Sequence, residues 1–394
     1  MPKFIVIFCL FLSFNLLLDS NFSLAEDLPV EKGFIEKAIV TKVLSEKHDK
    51  ELERVFNTEQ IIQILNIKIL TGKLKDKEVK IKNYLTSNPE YDIKIKQGDR
   101  VIIEKDIEAE ADEEYYDKKE NDKNSKIDDD KEDETINITS KDNSPIILIA
   151  SGLFLLLLLI IGGYSGLKTI TTLGFSAILI IFGLLPAILA NIHIIPIAIG
   201  VAVASVIFGI FIFNGFNMKS ICAAISASLS LLLAGFLSFA VIYTSSITNI
   251  DSKEGLILLG EYPDMNFAGI LTASVIISII GVLTSVSIAI ANYIAKKQFQ
   301  NKEYGFKTLF KKGTEAGKKA IGTMVSALIF IYIGSALPLL ILSLNIPLIK
   351  FINLGIVITE FSAAMIGSTA IILCSPITAA ITAITLTKLA KPKN

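Results

Sequence analysis

The feature that most constrains this chain is a run of apolar, uncharged residues from Ala268 to Ala291. A helix of about 20 residues crosses the hydrocarbon of a bilayer, because each residue advances it by about 1.5 Å. The run therefore predicts a membrane-spanning helix. A lysine-rich loop follows it, and a second apolar run ends near Pro338. We expect the two runs to form a helical hairpin across the membrane.

A stripe of small and hydroxylic residues lies along one face of the first helix, given a helical period of 3.6 residues. Its members are Ser274, Ser278, Gly281 and Ser285. Small residues let helix backbones approach closely, and hydroxyls bond across such contacts, so one interpretation is helix packing. A path for a polar solute is the alternative. Thr323 and Ser326 in the second helix are candidates for the same two roles.

The loop of this hairpin, from Asn292 to Ala320, holds many lysines and, as acids, only Glu303 and Glu315. Short loops rich in lysine remain in the cytoplasm, which is the positive-inside rule. Lys168 and Lys219 fall in turns that the same topology places in the cytoplasm. The charge pattern therefore predicts an amino-terminal domain outside the membrane and a cytoplasmic carboxy-terminus.

Further apolar runs are long enough to cross a membrane. They are Ile146–Tyr164, Thr169–Ala190, Ile195–Phe213, Ser220–Thr244 and Met365–Leu386. Together with the hairpin, they predict an α-helical integral membrane bundle of about seven spans. This multi-pass membrane domain occupies residues 145–394.

The stretch from Asn345 to Ala364 is only partly apolar and includes Lys350 and Asn353. If it spanned the membrane, the lysines near the carboxy-terminus would finish outside, against the charge rule. We therefore favour a re-entrant or interfacial segment over an additional span.

Glu360 is the only acidic residue between Asn266 and the carboxy-terminus outside the lysine-rich loop. If it lies solvated at the boundary of an interfacial helix, its loss would have little effect. If it is buried in the bundle, it is a carboxylate that can bind a cation or a proton, because acids inside membranes are costly and usually functional.

The amino-terminus has the pattern of a secretory signal peptide over residues 1–25. Lys3 precedes an apolar run from Phe4 to Leu18, and Ser23-Leu24-Ala25 offers small residues for cleavage. An uncleaved anchor is the alternative. Either outcome places the following segment outside the cytoplasm.

Residues 26–106 have the pattern of a small exported β domain, and we expect it to be barrel-like. Its β-rich runs are Ile35–Leu44, Gln60–Leu70, Glu78–Ile81 and Arg100–Glu104. Residues 107–144 are dominated by Asp, Glu, Lys and Asn. Too few apolar residues are present there to offset the entropy lost on ordering, so we expect a disordered acidic linker.

Several short motifs follow one another in the hairpin. They are Lys307-Thr308-Leu309-Phe310-Lys311-Lys312-Gly313, then Gly317, then Gly322-Thr323-Met324, then Ser335-Ala336-Leu337-Pro338. In this order and spacing, the hairpin resembles the YibE/F family of bacterial multi-pass membrane proteins. The resemblance implies a permease-like protein of the bacterial plasma membrane and does not define a substrate. Relatives often carry acids where this chain has Ser285 and Lys319.

The sequence contains no phosphate-binding loop, no cluster of His and Cys ligands and no nucleophile with a histidine base, so we expect neither an enzyme nor a bound metal or cofactor. The expected partners are the lipid bilayer and a companion membrane subunit or second copy, not nucleic acid. Two functions remain open. One is a permease for a small solute. The other is a non-transporting membrane scaffold whose exported β domain binds another protein or an envelope component.

Overall fold

The computed structural model describes residues 34–48, 61–72, 74–85, 92–105, 136–245, 250 and 252–390. The predicted signal peptide lies outside the described residues, and so do residues 107–135 of the predicted linker. The chain divides into two compact units, residues 1–156 and residues 157–394.

The first unit contains a five-stranded antiparallel sheet with the order β3-β2-β1-β4-β5. Its strands are β1 (Phe34–His48), β2 (Ile61–Ile69), β3 (Glu78–Leu85), β4 (Arg100–Lys105) and β5 (Ile136–Lys141). The first four coincide with the β-rich runs of the sequence. The two edge strands, β3 and β5, also contact each other, so the sheet curls towards a barrel-like shape.

Alternation of apolar and polar residues explains which face of the sheet is buried. In β2 every second residue from Gln63 to Ile69 is buried, since successive side chains of a strand point to opposite faces. The apolar members of this row join Val40, Ile81 and Val101 in one core. The hydrophobic pattern therefore determines the register of the strands.

The predicted boundary between the β domain and the linker is wrong at one point. Residues 136–141, which we assigned to the linker, form β5 and pair with β4. Ile136 is buried in the sheet core and Ile138 packs against it. These isoleucines and the ladder hydrogen bonds offset the entropy cost of ordering residues 136–141. The strand was not predicted because the charged residues before it dominate the composition of residues 107–144.

The rest of the described chain is helical. Its elements are α1 (Ser144–Leu179), a π-helical turn (Ile180–Leu184), α2 (Leu185–Leu189), α3 (Ile194–Asn214), α4 (Met218–Thr244), α5 (Lys253–Glu261), α6 (Phe267–Ser278), α7 (Ile280–Gln300), α8 (Phe306–Ser335), α9 (Leu337–Leu342), α10 (Leu348–Phe351) and α11 (Gly355–Ala390). The π-helical turn precedes Pro186, which has no N–H to donate to the helix.

Six helical stretches of the described chain are long and apolar enough to cross a membrane. They are Ser144–Leu189, Ile194–Asn214, Met218–Thr244, Phe267–Gln300, Phe306–Ser335 and Gly355–Leu389. The first has 46 residues and includes two of the runs that the sequence analysis treats as separate spans. The structure is therefore that of a multi-pass membrane protein with a curled sheet near its amino-terminus.

The first of these stretches is sharply bent at Gly163, whose φ of 52° and ψ of −128° are not helical. Only glycine adopts such a conformation without strain. Beyond the bend, Gly166 lies directly against the backbone carbonyl of Leu158. In a straight helix these two residues would be about 12 Å apart. The chain therefore turns back on itself here.

The stretch from Asn345 to Ala364 differs from the interfacial segment that we expected. Its first half contains the short helix α10, and its second half, from Gly355 onwards, is continuous with the last candidate span in α11. No proline interrupts α11 before Pro376, so the helix continues across the expected boundary. Glu360 accordingly belongs to a long helix and not to a separate surface segment.

The stretch Phe267–Gln300, here called the central helix, organises the bundle. It packs against α3, α4, α11 and α8, and these follow one another around it, each packed on the next. Within the described part of the chain, α3 and α8 do not form a packed interface that would close this ring. One side of the central helix is therefore left uncovered.

Candidate functional site

The stripe predicted on the central helix lies on its uncovered side. Ser274, Ser278, Gly281 and Ser285 are all exposed. A Cβ added at Gly281 would meet no atom within 4 Å. No helix of the described part of the chain therefore covers the stripe, which faces outwards between α3 and α8.

The opposite face of the central helix explains this orientation. It carries large apolar residues at helical spacing, including Ile276, Ile279 and Leu283, all with 0% exposure. Lipid is as apolar as these side chains, so close van der Waals packing against the neighbouring helices holds this face inwards. Along the stripe, Ser274 Oγ donates to the carbonyl of Ile270 at 3.0 Å, so its hydroxyl needs no other helix.

The central helix is interrupted in the middle of the candidate span. α6 ends at Ser278 and α7 begins at Ile280, while Ile279 between them has φ −96° and ψ −4°. Ser278 Oγ donates to the carbonyl of Val275 at 2.8 Å and lies 3.3 Å from the hydroxyl of Tyr332. A hydroxyl of α8 thus reaches the point where the helix is interrupted.

Thr323 and Ser326 are not brought to the stripe. Both are exposed on α8, and their hydroxyls donate to the carbonyls of Ala320 and Gly322. Thr323 lies about two and a half turns before Tyr332, so it points away from the side of α8 that meets the central helix. These two residues therefore lie outside the candidate site.

Glu360 lies in the second turn of α11 and is partly buried. The Ser335 side chain of α8 lies near its carboxylate, and the Ser335 hydroxyl donates to the carbonyl of Tyr332 at 2.9 Å. Asn353, from the same partly apolar stretch, donates to the carbonyl of Ile349. Ser335 is therefore the hydroxyl of α8 near Glu360, and its own hydrogen bond goes to the backbone of α8.

One turn along α8 from Ser335, Tyr332 packs against Ala363 and Ile366 of α11. Polar side chains thus lead from the start of α11 to the interruption at Ile279. We call Glu360, Ser335, Tyr332 and Ser278 the polar file. The sequence analysis did not select Tyr332 or Ser335 as site residues. Their three-residue spacing on one face of α8 is the signal that could have found them.

The lysines gather at one end of the bundle. Lys168 Nζ donates to the carbonyl of Phe213 at 3.0 Å, next to Asn214 at the end of α3. Asn214 and Asn292 exchange side-chain hydrogen bonds of 3.2 and 3.1 Å, which places the start of the lysine-rich loop at the same end. The side chain of Asn191 bonds the carbonyl of Asp264 at the other end. The polar file begins at that other end, because α8 runs from the lysines to Ser335.

The residues that the structure describes contain no group of three or more His, Cys, Asp or Glu side chains placed to hold a metal ion. Cys222 and Cys374 are buried and free. The Cys374 thiol lies near Ser230 and Thr378, and the Cys222 thiol near Thr385. Both cysteines therefore belong to the packed interface of α4 and α11.

Two related family descriptions match most of the chain. The YibE/F-like protein family matches residues 150–388, and the YibE/F family N-terminal domain matches residues 34–118. No curated protein and no solved structure matches the chain. The first family match spans more than half of the 394 residues. The chain therefore belongs to the YibE/F family of membrane proteins.

Proposed function

We propose that this protein is a permease for a small polar solute, which moves along the uncovered side of the central helix. The observation that carries the proposal is the interruption at Ile279, in the middle of a candidate span and beside the exposed stripe. Transporters commonly bind their substrates where spanning helices are discontinuous.

The energetics of the bilayer support this proposal. Irregular backbone at membrane depth is tolerated where it is buried in protein or lines a water-filled cavity, since lipid cannot hydrogen-bond the freed groups. Ser278 and Gly281 lie next to the interruption and are both exposed. A water-filled path between α3 and α8 would solvate them, whereas lipid would not.

A topology of seven spans in the bacterial plasma membrane accompanies the proposal. The two arms of the stretch bent at Gly163, residues 144–162 and 164–189, are each long enough for one crossing. The β domain then lies outside, and the lysine end and the carboxy-terminus are cytoplasmic, in accordance with the positive-inside rule.

Cysteine labelling of intact cells tests this topology. A cysteine at Ser125→Cys, in the segment before β5, should react with an impermeant reagent added outside, and one at Lys302→Cys should react only after lysis. Reaction of the Lys302→Cys protein alone in intact cells would reverse the topology.

The permease itself is tested by a screen of solute uptake and export in cells lacking or overproducing the protein, followed by one substitution. Gly281→Leu places a large side chain on the uncovered side without meeting any atom of the chain within 4 Å of its Cβ. We expect normal abundance and loss of transport. Gly322→Leu is the matched control, because Gly322 is also open but lies on α8. Full transport by Gly281→Leu would contradict the proposed path.

A second candidate function is a non-transporting scaffold, and the openness of Gly281 also favours it. Stripes of small residues allow another helix to dock closely, from a companion subunit or from a second copy of the chain. In that case Gly281→Leu should abolish co-purification of the partner or the oligomer. Neither candidate function involves enzymatic chemistry or a cofactor.

A further inference from the structure

Glu360 occupies an unusual place for a carboxylate. It lies within the last candidate span, Gly355–Leu389, and is partly buried between helices. Carboxylates at such positions are expensive, are usually paired and mark ion or proton pathways in membrane proteins. No ion pair to Glu360 is present among the described residues. Its negative charge therefore needs another partner.

The groups around Glu360 are neutral oxygen donors. Ser335 contributes a hydroxyl from α8; its proton is donated to the carbonyl of Tyr332 at 2.9 Å, so the lone pairs of its oxygen remain available to a cation. Thr359, the preceding residue of α11, is 5% exposed and has a hydroxyl without a partner in the described part of the chain. At the end of the bundle where α11 begins, the titratable side chains of the adjoining elements are Tyr332 on α8, Tyr243 on α4 and Lys350 on α10. Ser278 approaches from the central helix, through Tyr332.

None of these titratable side chains neutralises the carboxylate. Tyr332 is within hydrogen-bonding distance of Ser278, at 3.3 Å, and Tyr243 exchanges hydrogen bonds with Asn266. Lys350 is exposed and forms no ion pair with Glu360 in the residues that the structure describes.

We propose that Glu360 and Ser335 form a binding site for a monovalent cation, Na⁺ or a proton, at the outer entrance of the polar file. One carboxylate balances one positive charge, and hydroxyl oxygens suit a hard cation better than a transition metal, which prefers nitrogen or sulfur ligands. A divalent ion such as Ca²⁺ takes six to eight oxygen ligands, often several of them carboxylates.

The site is placed to couple a cation to the solute path, and this part rests on the proposed permease function. Ser335 and Tyr332 are one turn apart on α8, and Tyr332 contacts Ser278 at the interruption of the central helix. A cation bound to Glu360 neutralises the charge beside Ser335. Ser335 and Tyr332 lie on the same face of α8, so a shift of this face would also move the contact between Tyr332 and Ser278. A solute whose affinity depends on that contact would be bound together with the cation.

The test uses the purified full-length protein and Na⁺ alone as the probe. Thermal unfolding is compared in sodium chloride and in choline chloride at the same ionic strength, and again between pH 5 and pH 8 in choline chloride. A ligand that binds the folded state raises the unfolding temperature by mass action. For a Na⁺ site we expect a sodium-specific increase, and for a proton site a pH-dependent shift.

Either effect should disappear in Glu360→Gln and persist in Glu261→Gln, which changes an exposed acid of α5. Ser335→Ala should weaken Na⁺ binding about tenfold, since it removes one oxygen ligand of the ion. If Glu360→Gln does not fold, the Ser335→Ala result decides.

Equal responses of wild type, Glu360→Gln and Ser335→Ala in both experiments would overturn the site. Because binding is measured without transport, cation binding at Glu360 in a protein that transports nothing would refute the permease and retain the site.

Discussion

The β domain and the helical bundle satisfy their buried polar groups in different ways. In the sheet, the amide of Gln63, which is 1% exposed, bonds to the side chain of Asn83 and to the backbone of Ile95. In the bundle, most hydroxyls bond back to their own helix, as Ser226 does to Cys222 and Ser287 to Leu283. Other buried hydroxyls have no partner within the described residues; they are those of Ser205, Ser228, Ser238, Thr359, Ser368, Ser375 and Thr382.

This difference shows what holds each region together. Side-chain hydrogen bonds connect separate strands of the sheet and fix them relative to one another. The helices are positioned mainly by shape, since glycines such as Gly313, Gly317 and Gly367 leave no space for a Cβ. Polar groups of the bundle therefore connect few helices, and the contact between Ser278 and Tyr332 is an exception.

The largest effect is expected where the bundle depends on shape. A Cβ at Gly317 would overlap the Ser375 hydroxyl and lie 2.9 Å from its Cβ, so rotation of Ser375 alone cannot relieve the overlap. Gly317→Ala should destabilise the protein by about 1–3 kcal/mol, although alanine favours helix. Thermal unfolding of the purified protein measures the loss. Gly322→Ala, on the same helix with no atom within 4 Å, should be neutral or stabilising; equal effects of the two changes would contradict packing by shape.

In the sheet, the corresponding test removes an amide. Gln63→Leu leaves the Ile95 N–H and the Asn83 amide without their partner, and an unsatisfied buried group costs about 1–3 kcal/mol. Amide hydrogen exchange in β2 and at residues 92–96 should become faster. The double change Gln63→Leu with Asn83→Leu should recover part of the loss, since both partners are then apolar. A fully additive loss would show that the amides act independently.

The junction between the sheet and α1 gives a pH-dependent prediction. The side chain of Asp142 is 2% exposed, and its Oδ2 lies 3.8 Å from Lys37 Nζ. Burial by itself would raise the pKa of this carboxyl. Hydrogen bonds from Ser144 and the charges of Lys37 and Arg100 outweigh burial, however, and hold the pKa below its ordinary value of 3.8.

Because the folded-state pKa is lowered, the stabilisation by Asp142 is fully present above about pH 4 and is lost as the pH falls further. Asp142→Asn should remove about 1–3 kcal/mol at neutral pH and flatten the dependence on acid, as measured by urea unfolding at several pH values. Asp76→Asn, at an exposed ion pair with Lys68, should have little effect. If the free energy of unfolding of Asp142→Asn falls with decreasing pH as steeply as that of the wild type, Asp142 does not cause the loss of stability in acid.

The smallest effect is expected on the uncovered side of the central helix. Ser274 is exposed and its hydroxyl bonds only its own helix. Ser274→Ala should therefore change stability by less than about 0.5 kcal/mol. Thermal unfolding of the Ser274→Ala and Gly317→Ala proteins under the same conditions measures the difference in stability. A loss as large as that of Gly317→Ala would return the stripe to the packing interpretation.

Much of the fold could be predicted because its signals are local. The strands of the sheet show alternation, and the candidate spans are uncharged over about the width of a bilayer. β5 was missed because its six residues follow a long charged segment and gain their stability from pairing with β4, which is distant in sequence. The candidate site was predicted only in part. Glu360 and the stripe were identified by residue type, whereas Tyr332 and Ser335 were not.

The sequence by itself determined the two unlike halves of the chain, the apolar runs, the lysine-rich end and the resemblance to the YibE/F family. Only the tertiary structure decided which side of the central helix is covered, because serine and glycine are compatible with a helix contact and with an open face alike. Only the tertiary structure likewise placed Ser335 beside Glu360 and Tyr332 beside Ser278. Helical periodicity states which residues share a face, but the packing of other helices determines what that face meets.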